Sequence, residues 1–185
     1  MIVTFNEVYL ENLYKKGETG LKKFRFQPQI VRGYQKAVKY LIQARCKEDL
    51  FPFKSLHFEA LHGDKEGRFS VMARIQNISE NKIANNMTSS ELIHPGEMIK
   101  DEIMARGLTQ KELAQKMGVS YTVFNEILNG KRPVTTEYAL LLEAALGTNA
   151  NIWLGLQADY NMQIIKQDKS FMKKLEKIRK IAAIF

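Results

Sequence analysis

The sequence predicts an α+β protein in which an incomplete α/β segment, made of a strand, two helices and a β-hairpin, precedes an all-α domain. Alternation of apolar and polar residues within 56–75 predicts the hairpin. A polar stretch rich in Asn and Ser, 77–90, is typical of a linker. From residue 91 onward the apolar residues recur every three or four positions, which predicts helices alone. We therefore divide the chain into residues 1–76, 77–90 and 91–185.

The N-terminal segment opens with a short alternating stretch, Ile2–Phe5, that predicts a strand. Helical spacing then predicts one helix over Glu7–Lys16 and a longer one that begins near Pro28, because the fixed φ of proline suits a first helical turn. The longer helix carries a continuous apolar stripe from Ile30 to Ile42. The two strands of the hairpin are expected at Leu56–Leu61 and Arg68–Ile75.

Length, charge and cysteine content narrow the class of protein. A chain of 185 residues with 45% hydrophobic content can bury one sizeable core or two small ones, and the two-part pattern favours two. The net charge of +8 favours polyanionic partners. The single cysteine, Cys46, excludes an internal disulfide and suits a reducing compartment. There is no signal pattern, and no apolar run approaches the ~20 residues that span a bilayer, so we expect a cytoplasmic protein.

The most specific motif is TQKELAQKMGVSYTVFNEILNGKR, residues 109–132, which predicts two short helices joined by a tight turn. Thr109 and Glu112 have the spacing of a capping box that starts the first helix. Gly118 can adopt the positive φ that the turn requires, and Ser120 is placed to cap the second helix. Cap, turn glycine and apolar spacing agree with one another, which favours a helix-turn-helix over two helices that merely pack together.

This stretch resembles the helix-turn-helix of the lambda-repressor and Cro-like family, in which the second helix enters the major groove of DNA. Because Phe124, Ile127 and Leu128 form its apolar side, the resemblance implies that the polar side reads base edges. The expected base-reading residues are Ser120, Tyr121, Thr122, Asn125 and Glu126. The expected phosphate-contacting residues are Gln110, Lys131 and Arg132. No metal site and no cofactor are expected.

Apolar spacing around the motif predicts the other helices of a five-helix domain of the lambda-repressor-like fold. Pro95 opens the first of them, Thr135 caps the fourth, and Asn149 caps a fifth from about Ala150. The residues expected to face inward are Met98, Ile99, Ile103 and Met104 on the first helix, and Ala139, Leu140, Ala144 and Ala145 on the fourth.

A further helix at the C-terminus has an apolar stripe opposite a row of lysines. We expect the stripe to pack on its own domain or on a dimer mate, with contact to DNA phosphates or to a membrane surface as alternatives. The stripe consists of Phe171, Leu175, Ile178, Ile181, Ala182 and Phe185.

From about Asn86 to the end, the sequence resembles the HigA/VapI family of antitoxins. The resemblance rests on HPGE at 94–97, on the helix-turn-helix and on DYNM at 159–162. It implies a dimeric transcriptional regulator that binds its own operator as double-stranded DNA and neutralises a HigB toxin.

Residues 1–76 resemble the opening of HigB toxins, ribosome-dependent mRNA-cleaving proteins of the RelE-like group, in the text LHGD and then GRFSVM. Three departures matter: His62 stands where the family often has lysine, Glu59 where some members have histidine, and Met72 where the strand arginine is expected. The family's further strands, which carry the remaining cleavage residues, are missing. We therefore expect an inactive toxin remnant joined to an antitoxin, and not an enzyme. Its weak catalytic candidates are His62, Lys65, Arg68 and Arg74.

Two alternatives follow from the same resemblance. The chain could be an mRNA endonuclease held inactive in cis, or an interaction module that only binds a toxin. A hairpin that ends a shortened sheet also leaves unpaired backbone groups along an edge. We expect another copy of the chain, an intact toxin or the second domain to cover that edge.

Overall fold

A computed structural model describes residues 3–20, 26–60, 69–70 and 91–182, with only the backbone described for 69–70. Across these residues eight α-helices accompany one short β-ladder. The helices of the N-terminal part are α1 (Val8–Lys16) and α2 (Pro28–Gln43), followed by two 3₁₀ helices, Lys47–Leu50 and Lys54–Leu56, and by strands β1 (Glu59–Ala60) and β2 (Phe69–Ser70). The remaining helices are α3 (Pro95–Ala105), α4 (Gln110–Lys116), α5 (Tyr121–Leu128), α6 (Thr136–Leu146), α7 (Ala150–Gln167) and α8 (Lys169–Ala182).

The β-structure of the N-terminal part is shorter than predicted. β1 and β2 pair antiparallel with Glu59 opposite Ser70, where the hairpin was expected. The first strand was predicted to begin at Leu56, which is wrong, because Leu56 ends a 3₁₀ helix and His57 follows with a left-handed φ of 44°. Of the strand predicted at Ile2–Phe5, residues 3–5 are described, and among these three only Thr4 forms a β-bridge. The turn at 61–68 and residues 71–75 lie outside the described residues.

Both parts of the chain contribute to a single hydrophobic core, so the expectation of two cores is wrong. Three buried rings meet where α2, the second 3₁₀ helix and α7 come together. Phe53 lies 4.6 Å from Tyr40 and 5.3 Å from Trp153, measured between ring centroids. Helical spacing could not reveal this cluster because its members are far apart in the sequence. We expected another copy of the chain, a toxin or the second domain to pack against the N-terminal segment. The second domain packs against α2, whereas both residues of β1 are exposed.

Polar contacts reinforce the junction between the two parts. Arg32 of α2 makes an ion pair with Glu97 at 2.7 Å, and Lys36 makes another with Asp101 at 2.5 Å. The carboxylate of Glu102 on α3 is fully buried and accepts from the backbone N–H of Ser55 at 2.8 Å. The 3₁₀ helix that replaces the start of the predicted strand is held to α3 by this bond.

The predicted five-helix order is confirmed by α3 to α7. The capping box is present, because Thr109 accepts from the N–H of Glu112 and Glu112 accepts from the N–H of Thr109. Gly118 has a φ of 66°, as the turn requires. Ser120 occupies the N-cap position of α5, as predicted, but its side chain makes no capping hydrogen bond.

The predicted inner faces of two helices were partly wrong. Met104 is 73% exposed and Leu140 is 54% exposed, although both were expected to face inward. On α6 Ala139 is buried as predicted, whereas Ala144 is exposed and Ala145 only half-buried. Leu142 and Leu146 complete the inner face, three and then four residues further along the helix.

The C-terminal helix α8 has no buried residue over Lys169–Ala182. Its apolar residues Ile178 and Ile181 are 51% and 60% exposed. Packing of the stripe on its own domain is therefore not observed, and Phe185 lies outside the described residues. Within the part of the chain that the structure describes, no helix is long and apolar enough to cross a membrane.

Candidate nucleic-acid interface

The apolar side of α5 fastens it to the domain. Phe124, Ile127 and Leu128 are buried, as predicted. The N-terminus of α3 approaches the last turn of α5 so closely that a Cβ built on Gly96 would lie 2.3 Å from the carbonyl oxygen of Ile127. Only glycine fits this approach, because the neighbouring atom is backbone and cannot turn aside.

The opposite side of α5 faces solvent. Ser120, Tyr121 and Thr122 are exposed, with Tyr121 at 48%, and Asn125 and Glu126 are half-buried. Of the expected phosphate-contacting residues, Lys131 and Arg132 are exposed and Gln110 is half-buried. None of these eight residues is enclosed within the core, so the whole predicted set stands near the surface around one helix.

Asn125 joins the predicted residues of α4 and α5 through its side-chain amide. Its Nδ2 donates to Oε1 of Gln110 at 3.1 Å. Its Oδ1 accepts from Nδ2 of Asn129 at 3.1 Å, and the same Nδ2 donates to the backbone oxygen of Asn125 at 2.8 Å. At the end of the row, Nζ of Lys100 on α3 donates to Oδ1 of Asn129 at 2.7 Å.

Two members of this row were missed by the sequence prediction. Asn129 lies four residues after Asn125, so helical spacing could have added it to the set. Lys100 lies on a different helix, and no local pattern places it beside Asn129.

Glu126, predicted to read a base, and Arg132, predicted to contact a phosphate, are paired with each other. The Nε of Arg132 donates to Oε2 of Glu126 in an ion pair. The charge of Glu126 is therefore compensated within the protein, while the guanidinium keeps further N–H donors.

His94 holds the start of α3 beneath the end of α5. Its Nδ1 accepts from the N–H of Gly96 at 2.9 Å, which makes His94 the N-cap. Its ring stands edge-on to Tyr160, with centroids 4.7 Å apart at 90°. Burial lowers the pKa of His94 below its ordinary value, and the nearby carboxylate of Glu97 opposes the shift. The imidazole therefore favours its neutral form, which can accept at Nδ1.

Residues 99–153, which contain α4 and α5, match the family described as Helix-turn-helix. Virulence-associated protein I of Dichelobacter nodosus is 37% identical over 78 residues, covering 42% of this chain and 72% of that protein. Antitoxin HigA-1 of Vibrio cholerae serotype O1 is 37% identical over 71 residues, covering 38% of this chain and 67% of that protein.

The chain belongs to the HigA/VapI family of helix-turn-helix antitoxins. A solved structure, Pseudomonas aeruginosa antitoxin HigA with higBA promoter, is 27% identical, with a TM-score of 0.41, and covers 48% of this chain and 91% of that one. Members of the HigA/VapI family are not enzymes, which confirms the prediction that the chain is not one.

The toxin-like candidates belong to the N-terminal segment of the sequence, before the part that matches the HigA/VapI family. His62, Lys65, Arg68 and Arg74 all lie outside the described residues. Among the side chains that the structure describes, no group of three His, Cys, Asp or Glu is placed to hold a metal ion.

Proposed function

We propose that the chain is a sequence-specific DNA-binding transcriptional regulator of a HigBA-type toxin–antitoxin system and that it binds its own operator. The observation that carries this proposal is the division of α5 into a buried apolar side and a solvent-facing polar side. A helix held in this way can enter the major groove without losing its anchorage in the domain.

Base edges are read by the polar side of α5. We assign this role to Ser120, Tyr121, Thr122, Asn125 and Glu126, with Tyr121, Thr122 and Asn125 carrying most of the specificity. Asn125 suits adenine, which presents an acceptor at N7 and a donor at N6 in the major groove. Its amide has two donors and can accept twice. Gln110 and Asn129 use one of each, which leaves one donor and one acceptor for the base.

Phosphates are held by Gln110, Lys131 and Arg132 at the two ends of the motif. Arg132 and Glu126 form an ion pair in the free protein. Glu126 must therefore separate from Arg132 before its carboxylate can accept from a cytosine amino group. Until then Arg132 and Glu126 restrain each other beside the groove-facing side of α5.

A two-fold dimer would let two copies read half-sites about 34 Å apart. We place the dimer contact on α8, because its apolar residues Phe171, Ile178 and Ile181 are exposed and its own domain does not cover them. Ile178→Asp should therefore weaken self-association, whereas Lys177→Asp on the basic side of the same helix should not. Sedimentation equilibrium would measure this, and equal effects of the two changes would argue against a contact through the stripe.

The N-terminal segment is, on this proposal, the remnant of a HigB-type toxin that now serves as a packing partner in cis. Its helix α2 is fastened to α3 and α7 by the shared core and the ion pairs of Arg32 and Lys36. An intact HigB-type toxin remains a proposed partner in trans. Expression of the chain should not arrest growth; arrest that is lost on substitution of His62 or Arg68 would favour the endonuclease alternative instead.

Binding to DNA from upstream of the chain's own gene tests the main proposal. Fluorescence anisotropy should show tighter binding to that DNA than to a scrambled duplex. Asn125→Ala should cost about 1–3 kcal/mol at one base position. Lys131→Ala should weaken binding to both duplexes alike and flatten the dependence on salt. Equal losses on both duplexes from both variants would overturn the assignment of roles.

A further inference from the structure

The row of side chains Lys100, Asn129, Asn125 and Gln110, called here the amide row, runs across the end of α5 from α3 to α4. Its members differ in the hydrogen-bond donors and acceptors that they offer. A lysine ammonium has three donors and no acceptor, whereas each amide has an oxygen that only accepts and a nitrogen that only donates. The lysine therefore fixes which way its neighbour must turn.

The direction set by Lys100 passes along the row. Since Oδ1 of Asn129 must face Lys100, Nδ2 of Asn129 faces Asn125, where it meets two acceptors, the backbone oxygen at 2.8 Å and Oδ1 at 3.1 Å. Since Oδ1 of Asn125 faces Asn129, its Nδ2 faces Gln110. Turning any one amide over would oppose donor to donor or acceptor to acceptor.

We propose that Lys100 is a positioning residue that fixes the amide orientation of Asn125 and thereby the base that Asn125 selects. The inference rests on the proposed DNA-binding function, since it concerns the same surface. Adenine presents its acceptor and its donor in one fixed order, so only one orientation of the amide can pair with both. Two groups exclude the other orientation of Asn129, the ammonium of Lys100 on one side and the backbone oxygen of Asn125 on the other. Loss of Lys100 removes the charged one and leaves a single contact to hold the row.

A simpler role for Lys100 would be contact with a phosphate. That role predicts weaker binding to every sequence and a smaller salt dependence, because a phosphate carries no sequence information. A positioning role predicts instead that the preference for one base falls while binding to the other bases changes less. The two roles are therefore separated by the preference at one base pair, measured at constant salt.

Lys100→Met removes the donors and keeps the length of the side chain, whereas Lys100→Arg keeps a donor-only cation. Lys111→Met is the matched control, because Lys111 is an exposed lysine on α4 and its removal changes the net charge by the same amount. A consensus site is first selected by the wild-type chain from random duplexes. The base pair read by Asn125 is then identified as the one where Asn125→Ala loses its preference.

Each variant is then titrated with four duplexes that differ only at that base pair. Lys100→Met should lose at least fivefold of the preference for adenine, Lys100→Arg should retain it, and Lys111→Met should leave it unchanged. An equal loss on all four duplexes from Lys100→Met, with the preference intact, would reduce Lys100 to a phosphate contact and overturn the proposal.

A second measurement on the free protein does not depend on DNA binding. The side-chain amide signals of Asn129 and Asn125 in a ¹H–¹⁵N spectrum should move together in Lys100→Met and stay near their wild-type positions in Lys100→Arg. If the wild-type chain selects no DNA sequence, the proposed function fails, and this spectrum still decides the orientation. Signals of Asn125 that do not respond to Lys100→Met would show that the row transmits nothing.

Discussion

His94 is a single residue that contacts two helices of the proposed DNA-reading surface, α3 and α5. It caps α3 through Nδ1 and lies against the backbone of Gly130 just after α5, where a Cβ would be 3.4 Å from Cγ of the imidazole. A protonated imidazole would carry a proton on both nitrogens and could not accept from the N–H of Gly96. It would also place a positive charge at the positive end of the α3 dipole.

The stability of the fold should therefore fall as the pH is lowered through the titration of His94. Burial lowers the pKa of the folded-state imidazole below its ordinary value of 6.5, so the unfolded chain binds the proton first. The free energy of unfolding therefore rises with pH in this window. The contribution that comes from a neutral His94 is complete above about pH 6.5 and is progressively lost as the pH falls below it. Urea denaturation across a pH series would measure the slope.

Two asparagine variants isolate the contribution of His94. His94→Asn keeps a capping oxygen and removes the titration, so its unfolding free energy should depend less on pH, with about 0.5–1.5 kcal/mol lost through the missing ring contact with Tyr160. His57→Asn is the control, because His57 is exposed and asparagine tolerates its left-handed backbone. A wild-type slope in His94→Asn would assign the pH dependence to other groups.

The position of helix α5 depends on its close approach to helix α3 at Gly96. Gly96→Ala should destabilise the fold by about 1–3 kcal/mol, because the new Cβ meets the carbonyl oxygens of Ile127 and Leu128 at 2.3 and 2.8 Å. Gly155→Ala on α7 is the matched control. Its Cβ meets only the end of the Gln43 side chain, which can turn away, and alanine favours a helix by about 1 kcal/mol over glycine.

Urea denaturation measures both glycine variants, and binding to the selected DNA site shows whether α5 has shifted. Gly96→Ala should lose stability and affinity together, whereas Gly155→Ala should stay near wild type in both. Equal stability of the two variants would mean that α3 and α5 can move apart at little cost.

The attachment of the second 3₁₀ helix to α3 depends on one buried carboxylate. Glu102 accepts from the backbone N–H groups of Lys54 and Ser55 and pairs with Arg106 at 3.1 Å. Glu102→Ala should cost about 3–5 kcal/mol, because it removes a buried carboxylate and leaves its partners, among them the two N–H groups and the Arg106 guanidinium, without that acceptor. Asp101→Ala, one residue earlier, should cost at most about 1 kcal/mol, since its pair with Lys36 is partly solvated. Similar midpoints for the two variants in urea would contradict this account of the junction.

Sequence patterns predicted the elements whose causes are local. The capping box at Thr109, the glycine turn at Gly118 and the buried side of α5 each depend on residues within one or two helical turns. The start of the predicted strand at Leu56 was wrong because Glu102, far along the chain, binds the backbone there. The contribution of Lys100 to the candidate site was missed for the same reason.

At the scale of the whole molecule, the two parts of the chain are joined through a core that neither completes alone. Trp153 on α7, the only tryptophan, is buried against Phe53 and Tyr40 of the N-terminal part. The N-terminal part contacts α3 and α7, while the polar side of α5 remains solvent-facing. Docking of the first part therefore leaves the proposed DNA-reading surface open, and it supports that surface from behind through α3.

Phe53→Ala should consequently destabilise the helix-turn-helix as well as the segment that contains Phe53. Truncation of a buried phenylalanine costs about 3–5 kcal/mol, and here the cavity would border Trp153. Unfolding in urea, followed by Trp153 fluorescence and by far-ultraviolet circular dichroism, should give one coincident transition in the wild type and one earlier, still coincident transition in the variant. Phe51→Ala is the control, because Phe51 is 50% exposed and its loss should shift the midpoint far less. If the fluorescence transition of Phe53→Ala separated from a circular dichroism transition that kept its wild-type midpoint, the two parts would fold independently and the shared core would not couple them.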